Sequence, residues 1–553
     1  MPALRARAGS PPGVVYTPAA IAAPMVRQAL APLVQGRDAA ALRALRVCDP
    51  AAGEGAFLVE VVAFLGAALH AAGGAATLET ARAIVAAECI TGVDLDARAL
   101  AVAQQATGAP ASAFVVADAL AHAWGARFDA VIANPPYVRQ ESLANKAALQ
   151  TYASYAGGAD LYVYFVELVH RIVRPGGRYC VIVPTKWRTA AYGRGLRAFL
   201  AARASIEGIV DLPAGHFTVH AYPCIVWGTI APATMSTAAP IAAHRAAPHE
   251  TVEAALAAPG TPHERARWTA EPWHLDGAAE RALLDRLERD FPPLHAVVPG
   301  KPARGLVTGC NRAFVLDRAT RDALLAVEPS AAALIEPFVR GRDLTRYAPP
   351  AAERFVLLVE RGRDLDLDRW PRVLAHLAAF RTALQPRPST LAPDAPWAGR
   401  KRGNYRWFEL QDPVGPMVHA RTPRILYQDI QTQPIACLDE AAALVPDTTV
   451  WMLPTTDRCI LAVLSSPLYA WYARRRFPPA LHGAVRPKLP YLRALPVALP
   501  TGHARRALVA LVDERIAAAA PTAALDAELA ERVAAVYRLS AAERALIAAR
   551  DSP

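Results

Sequence analysis

The first 137 residues contain four short apolar runs, and each run ends in a polar side chain. The pairs are residues 47–48 with Asp49, 90–93 with Asp94, 113–117 with Asp118, and 128–133 with Asn134. Apolar runs of this length predict buried strands. Open α/β sheets bind ligands at the carboxyl ends of their strands. The ordered set of four therefore predicts an α/β fold with a ligand site at one edge of its sheet.

The segment from Asp49 to Gly55 predicts a tight turn between the first strand and a helix. Its sequence is Asp-Pro-Ala-Ala-Gly-Glu-Gly, so small residues at Ala51 and Gly53 let the backbone pass close to a ligand. It lacks the spacing of the dinucleotide fingerprint, and no phosphate-loop lysine follows. Taken alone, such a turn would indicate only an α/β protein.

Two acids follow the next two strands. Asp94 stands where a carboxylate can accept both hydroxyls of a ribose, and Asp118 where one can accept from an adenine amino group. An Asp after a strand is also often the N-cap of the next helix. Taken singly, each acid leaves both interpretations open.

The tetrapeptide Asn134-Pro135-Pro136-Tyr137 is the most informative feature of the chain. Two prolines end the strand abruptly and stiffen the loop that follows. The Asn134 side-chain oxygen and the Pro135 carbonyl can accept both hydrogens of an exocyclic amine, and Tyr137 can stack on the ring behind it. The loop therefore predicts a planar amine substrate.

These motifs, in this order, resemble the γ class of DNA adenine-N6 methyltransferases, including the methylase part of type II and IIG restriction–modification enzymes. The resemblance implies a class I S-adenosylmethionine (SAM) methyltransferase fold, which is Rossmann-like with a mostly parallel seven-stranded sheet. It also implies a mixed α+β target-recognition domain and a C-terminal helical segment. The reaction it implies is methyl transfer from SAM to adenine N6 of a base flipped out of duplex DNA.

The resemblance also assigns residues. Gly13 to Pro18 is similar to the motif that closes over the methionine end of the cofactor, with Thr17 as its contact, and Phe217 would be a second aromatic against the base. The implied catalytic residues are Asn134, Pro135, Tyr137 and Phe217. The implied cofactor-binding residues are Thr17, Asp49, Ala51, Gly53, Asp94, Asp118 and Asn134. A plain core side chain is the alternative for Phe217.

Composition adds an expected partner. The 553 residues carry a formal net charge of +11, which favours a polyanion such as double-stranded DNA. The seven cysteines show no C-x-x-C spacing, so buried free thiols in a reducing, bacterial cytoplasm are expected. No signal core follows the N-terminus, and the Ala/Gly-rich stretch 61–78 is expected to be a buried helix. The sequence contains no clustered His and Cys spacing typical of a metal site, and we expect that methyl transfer requires no metal ion.

The second half is predicted to recognise the target. We expect a catalytic domain over 1–245, a linker and connecting helix over 246–290, a recognition domain over 291–500 and a helical segment over 501–553. Basic residues interleaved with aromatics predict phosphate and base contacts. The candidates are Arg402, Tyr405, Arg406, Arg474, Arg475 and Lys488. The alternative for Arg402, Tyr405 and Arg406 is a solvated basic loop over a small aromatic core. For Arg474, Arg475 and Lys488 it is ordinary surface charge.

Other functions remain open at this point. Protein-glutamine N5 methyltransferases (and RNA enzymes) use the same loop, but the glutamine enzymes are short and carry a helical domain before the sheet. A non-catalytic DNA-binding specificity protein is a further alternative, although every catalytic position is filled. A separate restriction endonuclease or defence-system subunit is a possible partner, and a monomer is the default expectation.

Overall fold

The computed structural model describes residues 17–549 apart from 126, 139–146, 204, 214–221, 231–238, 248, 363–364, 393–394, 479, 481–482 and 519–522. The chain divides into two compact units, the first ending at Gly277 and the second beginning at Ala278.

The first unit is a sheet with helices on both faces. Its strands are β1 (Val47–Asp49), β2 (Ile90–Asp94), β3 (Phe114–Val116), β4 (Phe128–Ala133), β5 (Val173–Pro184), β6 (Ser205–Asp211), β7 (Pro223–Thr229), β8 (Ile241–Arg245) and β9 (Thr261–His263). Its helices are α1 (Ala19–Val34), α2 (Ala39–Arg43), α3 (Ala56–Ala71), α4 (Leu78–Glu88), α5 (Ala97–Thr107), α6 (Tyr162–Ile172), α7 (Arg194–Arg203) and α8 (Val252–Ala257).

The strand order in this sheet is β3-β2-β1-β4-β5-β7-β6-β8-β9. Strands β1 to β5 are parallel, and β7 runs antiparallel between β5 and β6. Side chains alternate between two apolar layers, since Ile132 packs with α1 and α3 whereas Val131 packs with α6 and α7. The first seven strands form the predicted class I methyltransferase sheet, and β8 and β9 extend it at one edge.

Two boundaries differ from the sequence prediction. The sequence Arg-Pro-Gly-Gly at 174–177 predicts a turn before a strand, but the segment is a bulge within β5, with Gly176 at φ +76°. The first unit also continues beyond residue 245, because β8 pairs with β6 and β9 pairs with β8. Residues 246–277 are therefore not a free linker, and only Ala278–Asp290 matches the predicted connecting helix.

The second unit contains two four-stranded sheets surrounded by helices. Its strands are β10 (Ala303–Arg304), β11 (Val315–Asp317), β12 (Ile335–Val339), β13 (Arg354–Leu357), β14 (Arg424–Gln428), β15 (Ala436–Asp439), β16 (Val445–Pro446) and β17 (Val450–Leu453). Its helices are α9 (Ala278–Asp290), α10 (Leu294–Val297), α11 (Asn311–Phe314), α12 (Arg318–Val327), α13 (Pro371–Ala378), α14 (Arg381–Leu384), α15 (Pro416–His419), α16 (Arg458–Leu464), α17 (Pro467–Arg476), α18 (Leu489–Arg493), α19 (Gly502–Ala517), α20 (Ala523–Val536) and α21 (Ala541–Ala548).

The sheets have the orders β10-β17-β14-β15 and β11-β13-β12-β16. The apolar periodicity of 461–476 predicts one helix, but two are present, because Ser466 caps the second through the Tyr469 amide and Pro467 occupies its first turn. The C-terminal helices share one apolar core with β14 and α16, so they belong to the same compact unit rather than to a separate segment. Among the described helices, none is long and apolar enough to cross a membrane.

Candidate active site

The turn after β1 is held against the carboxyl end of β2 by two hydrogen bonds that its backbone amides donate. The Ala52 amide donates to the Val93 carbonyl at 3.0 Å, and the Gly53 amide donates to Asp94 Oδ2 at 2.9 Å. Gly53 has φ +51°, and a Cβ there would meet open space. Gly55 also has a left-handed φ, and a Cβ there would lie 2.7 Å from Ala103 Cβ. The first glycine therefore leaves room above the turn, and the second lets α3 pack on α5.

Asp49 is buried at the end of β1. Its Oδ1 accepts from the Ala51 amide at 3.0 Å. Burial raises the pKa of this carboxyl to about 8, and the nearby Asp94 carboxylate adds to the rise, while the Ala51 hydrogen bond opposes it. A buried carboxyl beside a turn with open space can accept from, or pair with, a cationic ligand group.

Asp94 is not the N-cap of the next helix. Asp96 caps α5 through the Arg98 amide, whereas Asp94 accepts from the Gly53 and Asp96 amides, each at 2.9 Å. A carboxylate has about four acceptor positions, so Asp94 keeps capacity for ribose hydroxyls. Asp118 accepts from the Leu120 amide at 3.0 Å, so one of its oxygens serves a local turn and not the N-cap of a helix.

Leu95 is a residue that the sequence reasoning missed. Its side chain is 72% exposed immediately after Asp94, and Val116, at the end of the neighbouring strand, is 59% exposed. Large exposed apolar side chains at a ligand edge offer a surface for a planar ring. The available signal was an apolar residue directly after an acid that ends a strand.

Asn134 lies at the end of β4, the strand next to β1. Its Nδ2 donates to Thr17 Oγ1 at 3.0 Å, across 117 positions of sequence. Because the amide is planar, this bond turns the Asn134 oxygen away from Thr17. Thr17, just before α1, thus contacts the Asn134 loop, and Gly13 to Tyr16 lie outside the described residues.

The rest of the loop is fixed by α6. The Leu161 amide donates to the Val138 carbonyl at 3.0 Å, and the Tyr137 ring meets the edge of Tyr162 at 6.3 Å between centroids. The Tyr162 hydroxyl in turn hydrogen-bonds to that of Tyr192 at 2.9 Å. Sequence spacing did not identify Tyr162 as a support, because the contact depends on how α6 docks.

Tyr137 is held by packing. Burial raises the pKa of its hydroxyl, which has no hydrogen-bond partner among the described residues. A buried hydroxyl in that state costs free energy that an incoming polar ligand can recover. Pro135 is buried beside it. Phe217, the second predicted aromatic, lies outside the described residues.

The predicted DNA contacts divide into two groups. Arg402, Arg474 and Lys488 are exposed. Arg406 is exposed as well and is paired with Glu409 at 2.8 Å, so its charge is largely compensated.

Tyr405 and Arg475 are corrections. Tyr405 is buried, donates to the Lys401 carbonyl and lies under the Arg400 guanidinium at 4.5 Å. The side chain of Arg475 is 1% exposed, pairs with Glu280 and lies over Trp471. Both side chains stabilise the second unit and are not available to DNA. Among the described residues, no group of three or more His, Cys, Asp or Glu side chains forms a possible metal site.

Comparison with known proteins agrees with this geometry. Residues 105–218, which include the Asn134 loop, match the family model of the Eco57I restriction-modification methylase. The chain is 30% identical over 395 residues to the Type II methyltransferase M.PaeR7I of Pseudomonas aeruginosa, covering 67% of this chain and 64% of the relative. It is 29% identical over 497 residues to the Type II methyltransferase M.XhoI of Xanthomonas vasicola, covering 82% of this chain and 85% of the relative.

A solved structure extends the likeness over both units. The Type IIL restriction-modification enzyme MmeI, in complex with DNA, matches with a TM-score of 0.61 and 14% identity, covering 95% of this chain and 76% of that one. At this identity the match shows a shared fold. This chain therefore contains an Eco57I-type restriction–modification methylase domain and is a relative of the Type II methyltransferases.

Proposed function

We propose that this chain transfers a methyl group from SAM to N6 of an adenine that is flipped out of a specific duplex DNA sequence. The observation that carries the proposal is the Asn134 loop, placed beside the Asp49–Gly53 turn and tied to Thr17. The relatives named as Type II methyltransferases support a DNA substrate. The surplus of positive charge supports it as well.

The residues present fit SAM. Open space lies over Gly53, Asp94 keeps acceptor capacity for a ribose, and Leu95 offers an apolar surface for the adenine ring. Asp49 is placed to accept from a cationic ligand group near the turn. When bound, SAM supplies an electrophilic methyl group on a sulfonium sulfur.

The chain's own residues activate and hold the amine. The lone pair of adenine N6 is delocalised into the ring, so the amine is a poor nucleophile. Hydrogen bonds from its two hydrogens to the Asn134 oxygen and the Pro135 carbonyl favour a pyramidal nitrogen with a localised lone pair. The nitrogen would then form the new N–C bond as the S–C bond of SAM breaks, and its surplus proton would leave to water afterwards.

Tyr137 holds the flipped base. Flipping costs a few kcal/mol. Stacking on an aromatic ring recovers on the order of 1–3 kcal/mol. The contact with Tyr162 fixes the Tyr137 ring before the base arrives, so less entropy is lost on binding. By the family resemblance, Phe217 is proposed to close the other side.

The test is transfer of a labelled methyl group from SAM to duplex DNA, followed by digestion to nucleosides. We expect label in N6-methyl-2′-deoxyadenosine with the wild-type chain, and none with Asn134→Ala, which should still bind SAM. Label in a cytosine product would refute the assignment of the base. No label in DNA, with label in glutamine residues of added protein, would favour the glutamine alternative.

A further inference from the structure

The loop between β14 and β15, residues 430–434 (the hairpin loop), presents an unusual set of side chains to solvent. Ile430 is 51% exposed, and Thr432 and Gln433 are exposed. Gln431, between them, is buried. The loop bends on both sides of Gln431, which is the residue that pairs with Val485, and the side chains flanking it are left exposed.

Gln431 is anchored through its backbone and its side chain. Its amide donates to the Val485 carbonyl at 3.0 Å, and its carbonyl accepts from the Val485 amide at 2.9 Å. Its side chain accepts from the Tyr469 hydroxyl at 3.1 Å and donates to the Gln428 carbonyl at 3.2 Å. The backbone of the hairpin loop is therefore held in one position at Gln431.

The residue before the loop is fixed as well. Asp429 is buried, accepts from Trp451 Nε1 at 2.9 Å and pairs with Arg486. Its amide donates to the Thr449 carbonyl at 2.8 Å. These hydrogen bonds fix the backbone on both sides of Ile430, so its exposed side chain is presented at one position and loses less entropy on binding.

The surroundings are basic. Arg474 lines the same small depression as Thr432 and Gln433 and is itself exposed. Lys488 is exposed three positions after Val485, the residue that pairs with Gln431. Asp429, the acid that adjoins the loop, is already neutralised by Arg486. The charge complements a polyanion.

The exposed side chains suit base edges. A glutamine amide can make paired hydrogen bonds to adenine N6 and N7, and a threonine hydroxyl can serve either as donor or acceptor. Apolar side chains contact the thymine methyl or wedge between base steps. Phosphate contacts by Arg474 and Lys488 would set the register of these side chains on the duplex.

We infer that the hairpin loop reads the DNA sequence, with Thr432 and Gln433 contacting base edges, Ile430 making an apolar base contact, and Arg474 and Lys488 binding the flanking phosphates. This inference rests on the proposed function, since it names the residues that choose which adenine is methylated. The occupant of the surface is the duplex substrate.

The test uses methylation-aware sequencing of a methylation-free host that expresses the full chain. The variants are Thr432→Ala and Gln433→Ala, and Thr382→Ala, an exposed threonine on α14, is the matched control. We expect the wild type and Thr382→Ala to modify one identical motif. Each loop variant should lose at least about tenfold in discrimination at one position of that motif while still methylating adenine.

The outcomes separate the two proposals. A wild-type chain that modifies no adenine refutes the proposed function. A wild type that modifies a motif, with loop variants that keep the same motif at equal or uniformly lower occupancy, refutes base reading by the loop. Arg474→Ala should lower DNA affinity at all sequences and reduce its salt dependence, unlike Arg506→Ala on α19, and an Arg474 variant with unchanged affinity would refute the phosphate contact.

Discussion

Sequence patterns predicted the carboxyl edge of the sheet in the first unit (the ligand edge) more accurately than they predicted the basic segments of the second unit. At the ligand edge, Asp49, Asp94 and Asn134 come together as predicted. In the second unit, two of the six predicted DNA contacts turn inward, while Arg474 beside Arg475 faces solvent. The difference teaches that a residue at the end of a parallel strand can be placed in the fold from sequence alone. An arginine in a basic cluster cannot be assigned to the surface or the interior in this way.

The physical cause is the distance along the chain to each partner. The carboxyl ends of β1, β2 and β4 must meet, because parallel pairing leaves no other arrangement. Arg475 is buried because it pairs with Glu280, which lies 195 positions earlier in the chain. The local sequence around Arg475 contains no pattern that indicates this pair. Arginine serves ion pairs, stacking and phosphates equally well, so only its partner decides its role.

The largest expected effect is at the ligand edge. Asn134→Ala should lower kcat by more than about 1000-fold, because the acceptor for an N6 hydrogen is lost at the reacting atom. SAM affinity should change little. Single-turnover transfer to duplex DNA, with SAM binding measured by calorimetry, checks both parts. An Asn134→Ala enzyme within tenfold of wild type would place the chemistry elsewhere.

Substitutions at the neighbouring residues Arg474 and Arg475 test whether one side chain is exposed and the other buried. Arg475→Ala should lower the free energy of unfolding by about 3 kcal/mol, because the buried ion pair with Glu280 and the stacking of the guanidinium on Trp471 are both lost. Arg474→Ala should change that free energy by less than about 0.5 kcal/mol, since the side chain is exposed. Denaturant unfolding of both variants decides, and equal destabilisation would contradict the burial assigned to Arg475.

Asp49 predicts a pH dependence of stability in the ligand-free protein. Burial raises its folded-state pKa to about 8, above its ordinary value of 3.8. Between these values the folded state binds more protons than the unfolded state, so this group's contribution to stability falls as pH rises.

Asp49→Asn removes that titration. Each pKa unit corresponds to about 1.4 kcal/mol, so from pH 5 to pH 9 the variant should gain more than that relative to wild type. Denaturant unfolding at four pH values measures the difference. A difference that stays constant with pH would contradict the raised pKa.

The smallest effect sharpens the role of Thr17. Thr17→Val removes the acceptor that orients the Asn134 amide, so kcat should fall about tenfold with the pH profile unchanged. Thr17→Ser keeps the acceptor and should restore most of the rate. A serine variant as slow as the valine variant would mean that Thr17 acts through packing alone.

Part of the fold and of the candidate site could be predicted from the sequence. The strands, the helix after the turn and the convergence of the loop with Asp94 followed from local pattern and sheet rules. The extension by β8 and β9, the support from Tyr162 and the inward turn of Tyr405 did not. Each depends on contacts between residues far apart in sequence, which hydrophobic periodicity does not encode.

The central claim is that the Asn134 loop methylates adenine N6 in DNA. Its most direct test is methylation-aware sequencing of DNA from a methylation-free host that expresses either the wild-type chain or Asn134→Ala. The account predicts N6-methyladenine at one recurring motif with the wild type and an unmodified genome with the variant. Modification that persists in the variant, or a genome left unmodified by a wild-type chain that binds SAM, would contradict it.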